Sequence, residues 1–299
     1  MDTSPAPALA RLAPGALLGH LPAAQGDFLA WAEERAAKVL AARGNTQLAG
    51  PRWIWTAMAE AEKGVPPYAI VDGVALIGIR GLIVPELEII NWSWATGCAE
   101  LCWQVEHAAE NSTVSGIALL VDSPGGYVSG VDEAHGAIMA ARETKPVISA
   151  VQDMAYSAGY WLASAADQIS APRMGGVGHI GTIATHFDIS EMLKMQGITA
   201  TVMQAGALKA DGHPYLPLSD TARKDIEARL QAIRAVFADS VAAGRRGAIS
   251  AADILATEAR AFDGPKGVAD ALGAGLIDAI LPAQEALGLF ATHLAGATG

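Results

Sequence analysis

Positive charge is scarce in this sequence. The 20 Lys and Arg residues stand against 31 Asp and Glu residues, which gives a formal net charge of −11 at pH 7. A nucleic-acid-binding surface needs basic side chains that neutralise phosphates, so this balance argues against nucleic acid as a partner. Charged residues of either sign are also few, at 17%, while hydrophobic residues reach 52%. Such a composition is typical of a folded chain with a large core.

Cysteine is almost absent, with only Cys98 and Cys102 in the stretch CAELC. A spacing of four residues places both thiols on one face of a helix, where we expect them to act as small, reduced hydrophobic side chains. No second Cys or His pair stands nearby to complete a zinc site, so no metal is expected. Reduced cysteines fit a location in the bacterial cytoplasm.

Long hydrophobic runs are missing as well. No stretch contains about 18 consecutive apolar residues, the length that a membrane-spanning helix needs, so no membrane span is expected. The start of the chain is apolar, but prolines interrupt it and no basic region leads it, which argues against a signal peptide. Residues 1–65 are interpreted as an accessory segment, flexible or helical, with apolar residues at helical spacing over 27–44.

From residue 66 onward, β-rich runs alternate with stretches of helical periodicity. Asp72-Gly73 lies between two β-rich runs and suits a tight hairpin turn. The further predicted strands are GIALLVDS (116–123), PVISAVQ (146–152), QISA with its following loop (168–176) and TATVMQ (199–204). The predicted helices are 96–111, 128–144, 157–167, 188–197 and 219–245, the last opened by Ser219 and Asp220. This alternation favours an α/β fold with largely parallel strands in a domain at 66–283, followed by a tail at 284–299.

Two predicted strand ends carry candidate catalytic groups. In VDSPGGYVSG, two glycines leave backbone N–H groups uncovered after a buried strand, as an oxyanion hole requires, although an ordinary turn would use the same residues. Ser157 follows a strand and opens a predicted helix, so it is either a helix cap or a nucleophile. In the second case the N–H of Ala158 would be an oxyanion donor.

A serine nucleophile needs a base, and the downstream candidates are His179, His186, Lys209 and His213. Lys209 follows the predicted strand at 199–204, which would place it at the same edge of the sheet. Its Ala, Gly, Leu and Met neighbours favour the uncharged amine that a lysine base requires, whereas Asp211 opposes it. On these grounds alone, an ordinary exposed charge is the more common role for a loop lysine such as Lys209.

Several motifs in a fixed order resemble the signal peptide peptidase A (protease IV) family of Ser-Lys peptidases. They are DSPGG, YSAGYWLASAADQI, GGVGHIGTIATHFDISEMLKMQGI, QAGALKADGHPYLPLS and ATEARAFDGPKGVADALGAGLIDAI, which together run through roughly residues 68–281. Within that family the chain is most similar to bacteriophage capsid-assembly proteases. The shared features are an H-x-D after the glycine loop and the pattern Phe237, Val241, Ala242, Arg246 and Gly247 in the long helix.

The resemblance implies a ClpP/crotonase-like spiral of ββα units. It also implies Ser157 as the nucleophile and Lys209 as the general base. The backbone N–H groups of Gly126 and Ala158 would be the oxyanion donors, and no cofactor is needed. His179 stands where the family often has a serine that orients the lysine, so we expect it either to orient Lys209 or to replace it as the base.

The function that the resemblance implies is that of a serine endopeptidase of a phage or prophage. Its substrates would be scaffold and procapsid proteins, with the chain itself among them, and it would work as a ring-forming homo-oligomer in the host cytoplasm or the procapsid. Three alternatives stay open from the sequence: a crotonase-type acyl-CoA enzyme, a bacterial cytoplasmic protease similar to signal peptide peptidase, and a non-catalytic ring-forming capsid component.

Overall fold

The computed structural model describes residues 66–87 and 95–297. The accessory segment 1–65, with its predicted helix at 27–44, therefore lies outside the described residues. In the described ranges the strands are β1 (Ala69–Val71), β2 (Val74–Val84), β3 (Ala95–Gly97), β4 (Gly116–Gly126), β5 (Val147–Tyr156), β6 (Gln168–Ala171), β7 (Gly176–Gly178), β8 (Ala261–Asp263) and β9 (Ala279–Ile280). The helices are α1 (Cys98–Glu110), α2 (Val131–Ala141), α3 (Ala158–Ala163), α4 (Ser190–Met195), α5 (Asp220–Gly244), α6 (Ala251–Ala256), α7 (Gly264–Gly273) and α8 (Ala283–Ala297).

Strands β2, β4, β5 and β6 lie side by side in the order in which they occur along the chain, and all three pairs are parallel. A helix stands in each connection: α1 before β4, α2 before β5 and α3 before β6. Buried residues of these three helices share one core with the strands, so the crossovers lie on one face and the chain advances as a spiral. The predicted α/β fold with largely parallel strands is confirmed.

The hairpin at the start of the sheet is confirmed as well. β1 pairs with β2 in antiparallel register, and only Asp72 and Gly73 join them. Both residues have positive φ, at 51° and 77°. Positive φ at both central positions is what a two-residue turn of this handedness requires, and the Asp-Gly dipeptide tolerates it.

Side-chain alternation along β4 divides the sheet into two faces. Ile117 and Leu119 point into the main core beneath the helices, while Ala118 points to the opposite face. There it forms a second, smaller hydrophobic cluster with Phe290 and Leu294 of α8. The segment assigned to a C-terminal tail is thus largely helical. It covers the sheet near the starts of its strands, at the end remote from the carboxyl ends of β4 and β5.

The prediction of a strand at 199–204 is wrong. Residues 198–204 have no regular secondary structure, and Met203 is 89% exposed. The run contains β-forming side chains, but a strand also needs a hydrogen-bonded neighbour, and none of the strands in the described ranges pairs with it. The whole interval 182–218 is largely exposed, with the short helix α4 inside it.

Helix α5 follows the predicted cap residue, Ser219, and packs against α3. Its Phe237 ring stacks on Trp161 of α3, with ring centroids 4.3 Å apart. The hydroxyl of Tyr160, also on α3, donates to the carbonyl of Leu276 at 2.7 Å. α5 has 25 residues, yet no helix within the described ranges combines the length and the hydrophobicity needed to cross a membrane.

The cysteines of α1 are free thiols, as expected. Cys98 is buried in the main core and Cys102 is half-buried at its margin. Burial raises the pKa of Cys98 to about 12, so its thiol stays protonated and packs as a hydrophobic side chain.

His135 of α2 is a buried histidine whose protonation links stability to pH. It is 5% exposed, and its Nε2 has no hydrogen-bond partner among the described residues. Burial lowers the pKa of His135 to about 4. The unfolded chain takes up this proton near pH 6.5, so stability is lost as the pH falls below that value. We predict that His135 alone lowers the free energy of unfolding by about 2 kcal/mol between pH 7 and pH 4.5.

Urea unfolding of the wild type and His135→Leu at both pH values measures this loss. We expect the variant to lose about 2 kcal/mol less than the wild type on acidification. His293→Gln, at an exposed position of α8, is the matched control and should behave as the wild type. Equal acid sensitivity of His135→Leu and the wild type would show that His135 is not a buried neutral group.

Gly126 marks a close approach between β4 and β2. A Cβ atom built at this position would collide with the backbone N and O atoms of Ile83. We therefore predict that Gly126→Ala destabilises the fold by about 3 kcal/mol, because two neighbouring backbones would have to separate. Gly136→Ala on α2 is the control, since nothing lies within 4 Å of its added Cβ, and it should be neutral or stabilising. The denaturant midpoints of the two variants give the comparison, and similar midpoints would refute the close approach.

Candidate active site

Ser157 forms the one-residue step between β5, which ends at Tyr156, and α3, which begins at Ala158. Its backbone has φ 50° and ψ −125°, a combination that residues other than glycine rarely adopt. Holding a serine in such a conformation costs about 1–3 kcal/mol, so the surrounding structure must impose it. Strained positions of this kind concentrate at functional sites.

Two backbone hydrogen bonds hold the strained step. The N–H of Ser157 donates to the carbonyl of Gly178 in β7 at 2.9 Å, and its carbonyl accepts from the N–H of Trp161 at 2.9 Å. The side chain is buried, at 3% exposure, and makes no capping hydrogen bond to α3. Ser157 thus stands at the N-cap position of α3, but its hydroxyl does not cap the helix. A sharp strand-to-helix turn is the geometry in which many hydrolases hold a nucleophilic serine.

Gly126 is the last residue of β4 and pairs with Ile83 of β2. The next residue, Tyr127, donates its N–H to Ile83 of β2 at 2.8 Å. The last β4–β5 pair is Ser123 with Ala155, so no β5 residue pairs with Gly126. The N–H groups of Gly126 and of Ala158, which lies at the unpaired start of α3, are the two candidate donors for an oxyanion.

Ser123 fixes the turn that carries Gly126, a role that the sequence analysis did not assign. Its buried hydroxyl donates to the carbonyl of Gly81 at 2.6 Å and accepts from the N–H of Gly125 at 3.1 Å. A Cβ on Gly159 would lie 3.0 Å from the Cβ of Ser123, so α3 packs directly on this turn. The signal was present in the DSPGG motif, where the serine stands three residues before Gly126, the candidate oxyanion donor.

His179 lies beside the strand end that carries Ser157. Its backbone has φ 55°, and its N–H donates to the carbonyl of Arg260 at 3.0 Å. Its half-buried ring meets the ring of Tyr156 edge-on, with centroids 6.4 Å apart. The structure thus brings His179 next to the residue that precedes Ser157.

Lys209 is placed differently. It is exposed, in a turn region of the interval 182–218, and its side chain makes no ion pair or hydrogen bond with the described residues, Ser157 and Asp211 included. Two further candidate bases, His186 and His213, lie in the same interval, where Nε2 of His186 is 3.4 Å from the carbonyl oxygen of His213. The candidate nucleophile, the candidate oxyanion donors and His179 therefore lie on neighbouring strand ends, and no hydrogen bond or ion pair joins Lys209 to them among the described residues.

Acidic side chains lie on the same part of the sheet. Burial raises the pKa of Asp122 in β4, and the nearby carboxylate of Asp153 in β5 raises it further, while Arg80 opposes both.

Tyr156 and Asp263 form a hydrogen bond that the sequence analysis missed. They are 107 residues apart, and no spacing rule joins such a pair. In the described ranges, no three His, Cys, Asp or Glu side chains form a group that could hold a metal ion.

This chain matches a peptidase family and is similar in sequence to two phage proteins. The Peptidase family S49 model matches residues 139–296. Capsid assembly protease C of Escherichia phage lambda is 32% identical over 221 residues, which cover 74% of this chain and 49% of the relative. Head-tail preconnector protein GP5 of Enterobacteria phage P21 is 31% identical over 238 residues, 79% of this chain and 46% of the relative.

More distant likenesses extend beyond phages. The chloroplastic serine protease SPPA of Arabidopsis thaliana is 27% identical over 211 residues, 70% of this chain and 30% of the relative. A solved structure of an enoyl-CoA hydratase/isomerase family member aligns with a TM-score of 0.43 and 17% identity, over 76% of this chain and 74% of that one. The chain spans about half the length of the two phage relatives. From the match over residues 139–296, the chain belongs to peptidase family S49.

Proposed function

We propose that this chain is a serine endopeptidase in which Ser157 is the nucleophile and Lys209 the general base. The observation that carries the proposal is the strained backbone of Ser157 at the step from β5 to α3, with Ala158 at the start of α3 and Gly126 beyond the last β4–β5 pair. Membership of a peptidase family favours this activity over the acyl-CoA alternative, which has no use for a nucleophilic serine at this position.

The proposed reaction proceeds through an acyl-enzyme. The uncharged amine of Lys209 takes the hydroxyl proton of Ser157 while Oγ bonds to the scissile carbonyl carbon. The N–H groups of Gly126 and Ala158 bind the oxyanion of the tetrahedral intermediate. The C–N bond then breaks, and the leaving amine takes the proton from Lys209. The amine of Lys209 then deprotonates a water molecule whose oxygen bonds to the acyl carbon. The bond from that carbon to Oγ breaks, and Lys209 returns the proton to Oγ of Ser157.

Lys209 must approach Ser157 for this reaction, and we propose that a second copy of the chain supplies it. The interval 182–218 exposes large apolar side chains that a free surface does not favour: Phe187, Met192, Met195, Ile198, Met203, Leu208, Tyr215 and Leu216. Packing them against a neighbouring copy removes them from water and also desolvates Lys209. Desolvation favours the uncharged amine that a base requires. A homo-oligomer, closed as a ring, would complete every site in this way.

The substrates that fit best are proteins of an assembling phage capsid. Two of the relatives are named as a capsid assembly protease and a head-tail preconnector protein, and both align over about three quarters of this chain. We extend this role to the present chain and propose cleavage of scaffold and procapsid proteins, its own polypeptide included. The place of action would be the procapsid or the host cytoplasm.

The dyad is tested by removing each member. We predict that Ser157→Ala and Lys209→Ala each lower peptide cleavage by at least about 10³-fold without a change in the unfolding midpoint, because both groups act in the same proton transfer. A fluorophosphonate probe should label Ser157 in the wild type and react slowly with Lys209→Ala. Lys224→Ala, at an exposed lysine of α5, is the control and should keep full activity. Turnover that persists in both dyad variants would refute the mechanism, and loss in His179→Ala alone would assign the base to His179.

Mixing the two inactive variants tests the second copy. If Lys209 acts on the Ser157 of a neighbour, an equimolar mixture of Ser157→Ala and Lys209→Ala should recover about a quarter of wild-type activity after subunit exchange. The reason is that random assembly joins an intact serine to an intact lysine at one site in four. A mixture that stays inactive after verified exchange would place both residues of the dyad in one chain.

A further inference from the structure

The residue that precedes Ser157 is bound to a distant part of the chain. Tyr156 ends β5, and its hydroxyl donates to Oδ1 of Asp263, the last residue of β8. Strand β7 lies between them, parallel to β5 and antiparallel to β8. The phenol of Tyr156 therefore crosses β7 to reach its partner. Burial, with the Asp263 carboxylate as a further cause, raises the pKa of Tyr156, so the phenol stays protonated and able to donate.

Gly176 makes this crossing possible. A Cβ atom built on Gly176 would collide with both the hydroxyl of Tyr156 and Oδ1 of Asp263. Any other residue at this position would therefore displace the hydrogen bond. Gly176 pairs with Met154 on one side and with Asp263 on the other, so the hydrogen bond crosses β7 at the level of Gly176.

Asp263 gives up a capping interaction to make this bond. It occupies the N-cap position of α7, where an aspartate normally accepts a hydrogen bond from the first turn of the helix. Its side chain makes no such bond and is turned toward Tyr156 instead. An unused aspartate cap forgoes stability, so the position of this carboxylate is better explained by what it does at Tyr156.

We propose that Tyr156 and Asp263 form a positioning pair that fixes the backbone of the nucleophile. Tyr156 is joined to Ser157 by one peptide bond, and the N–H of Ser157 is bound to Gly178 at the end of the strand that the phenol crosses. Holding the Tyr156 side chain against β7 and β8 thus restrains the ψ of Tyr156 and the φ of Ser157 together. The pair touches no substrate atom; it keeps Oγ of Ser157 aligned for attack. This inference rests on the proposed role of Ser157.

The pair predicts opposite effects on activity and stability. Tyr156→Phe keeps the ring but removes the hydrogen bond that restrains Ser157. We therefore expect the rate of fluorophosphonate labelling of Ser157 and kcat to fall by about 10- to 100-fold with KM unchanged. The same substitution frees Asp263 to cap α7. The unfolding midpoint should stay equal or rise. Asp263→Ala should show the same loss of rate. Asp263→Asn keeps an acceptor oxygen and should retain most of the wild-type rate. The double variant Tyr156→Phe/Asp263→Ala should be no slower than either single variant, because the two groups act as one.

Tyr68→Phe is the matched control, since it removes a phenolic hydrogen bond to His107 of α1, away from Ser157. Its rate should equal that of the wild type. Wild-type rates in Tyr156→Phe, additive losses in the double variant, or a loss of rate that only follows a loss of stability would each overturn the positioning pair. Failure of the probe to label Ser157 in the wild type would instead overturn the proposed nucleophile, so the two failures are distinguishable.

Discussion

The backbone of Ser157, held at φ 50° and ψ −125°, is the constraint on which the site depends. A residue with a Cβ adopts this conformation only when its neighbours leave it no alternative. Here the N–H is bound to Gly178 of β7, and the carbonyl opens the hydrogen bonding of α3 through Trp161. β7 is held in turn between β5 and β8. The position of one hydroxyl therefore rests on three strands that are far apart in the sequence.

The strain at Ser157 is small beside the packing that opposes it. Every residue of α3 is buried, and its largest side chains, Tyr160, Trp161 and Leu162, lie in the main core. Each fully buried side chain of this size contributes about 1.5–3 kcal/mol, so the three together exceed the cost of about 1–3 kcal/mol for the serine conformation. The core thus keeps α3 docked, and a docked α3 leaves Ser157 no room to relax. The buried side chains of α3 thus keep the backbone of Ser157 rigid.

The proposed base has the opposite environment. Lys209 lies in an exposed interval with many uncovered apolar side chains, whereas Ser157 is buried in the body of the fold. An ammonium group in water holds its proton, and an amine at an apolar interface releases it more readily. Under the proposed mechanism, assembly would both bring the base to the serine and change its protonation. Under the same proposal, a chain without its neighbour would lack the base at Ser157 and stay inactive.

Local sequence patterns determined the elements of this fold but not how distant ones meet. Alternating helices and β-rich runs, the Asp72-Gly73 turn and the Ser219 cap are local features, and each was predictable because it depends on residues close in the chain. The run TATVMQ misled for the same reason, since a strand exists only when a partner edge accepts its hydrogen bonds. Ser157 was identifiable from its motif, but its strained backbone conformation depends on the hydrogen bond to Gly178 and on the buried α3. The bond between Tyr156 and Asp263 needed the tertiary structure altogether, because only strand packing brings residues so distant in sequence into contact.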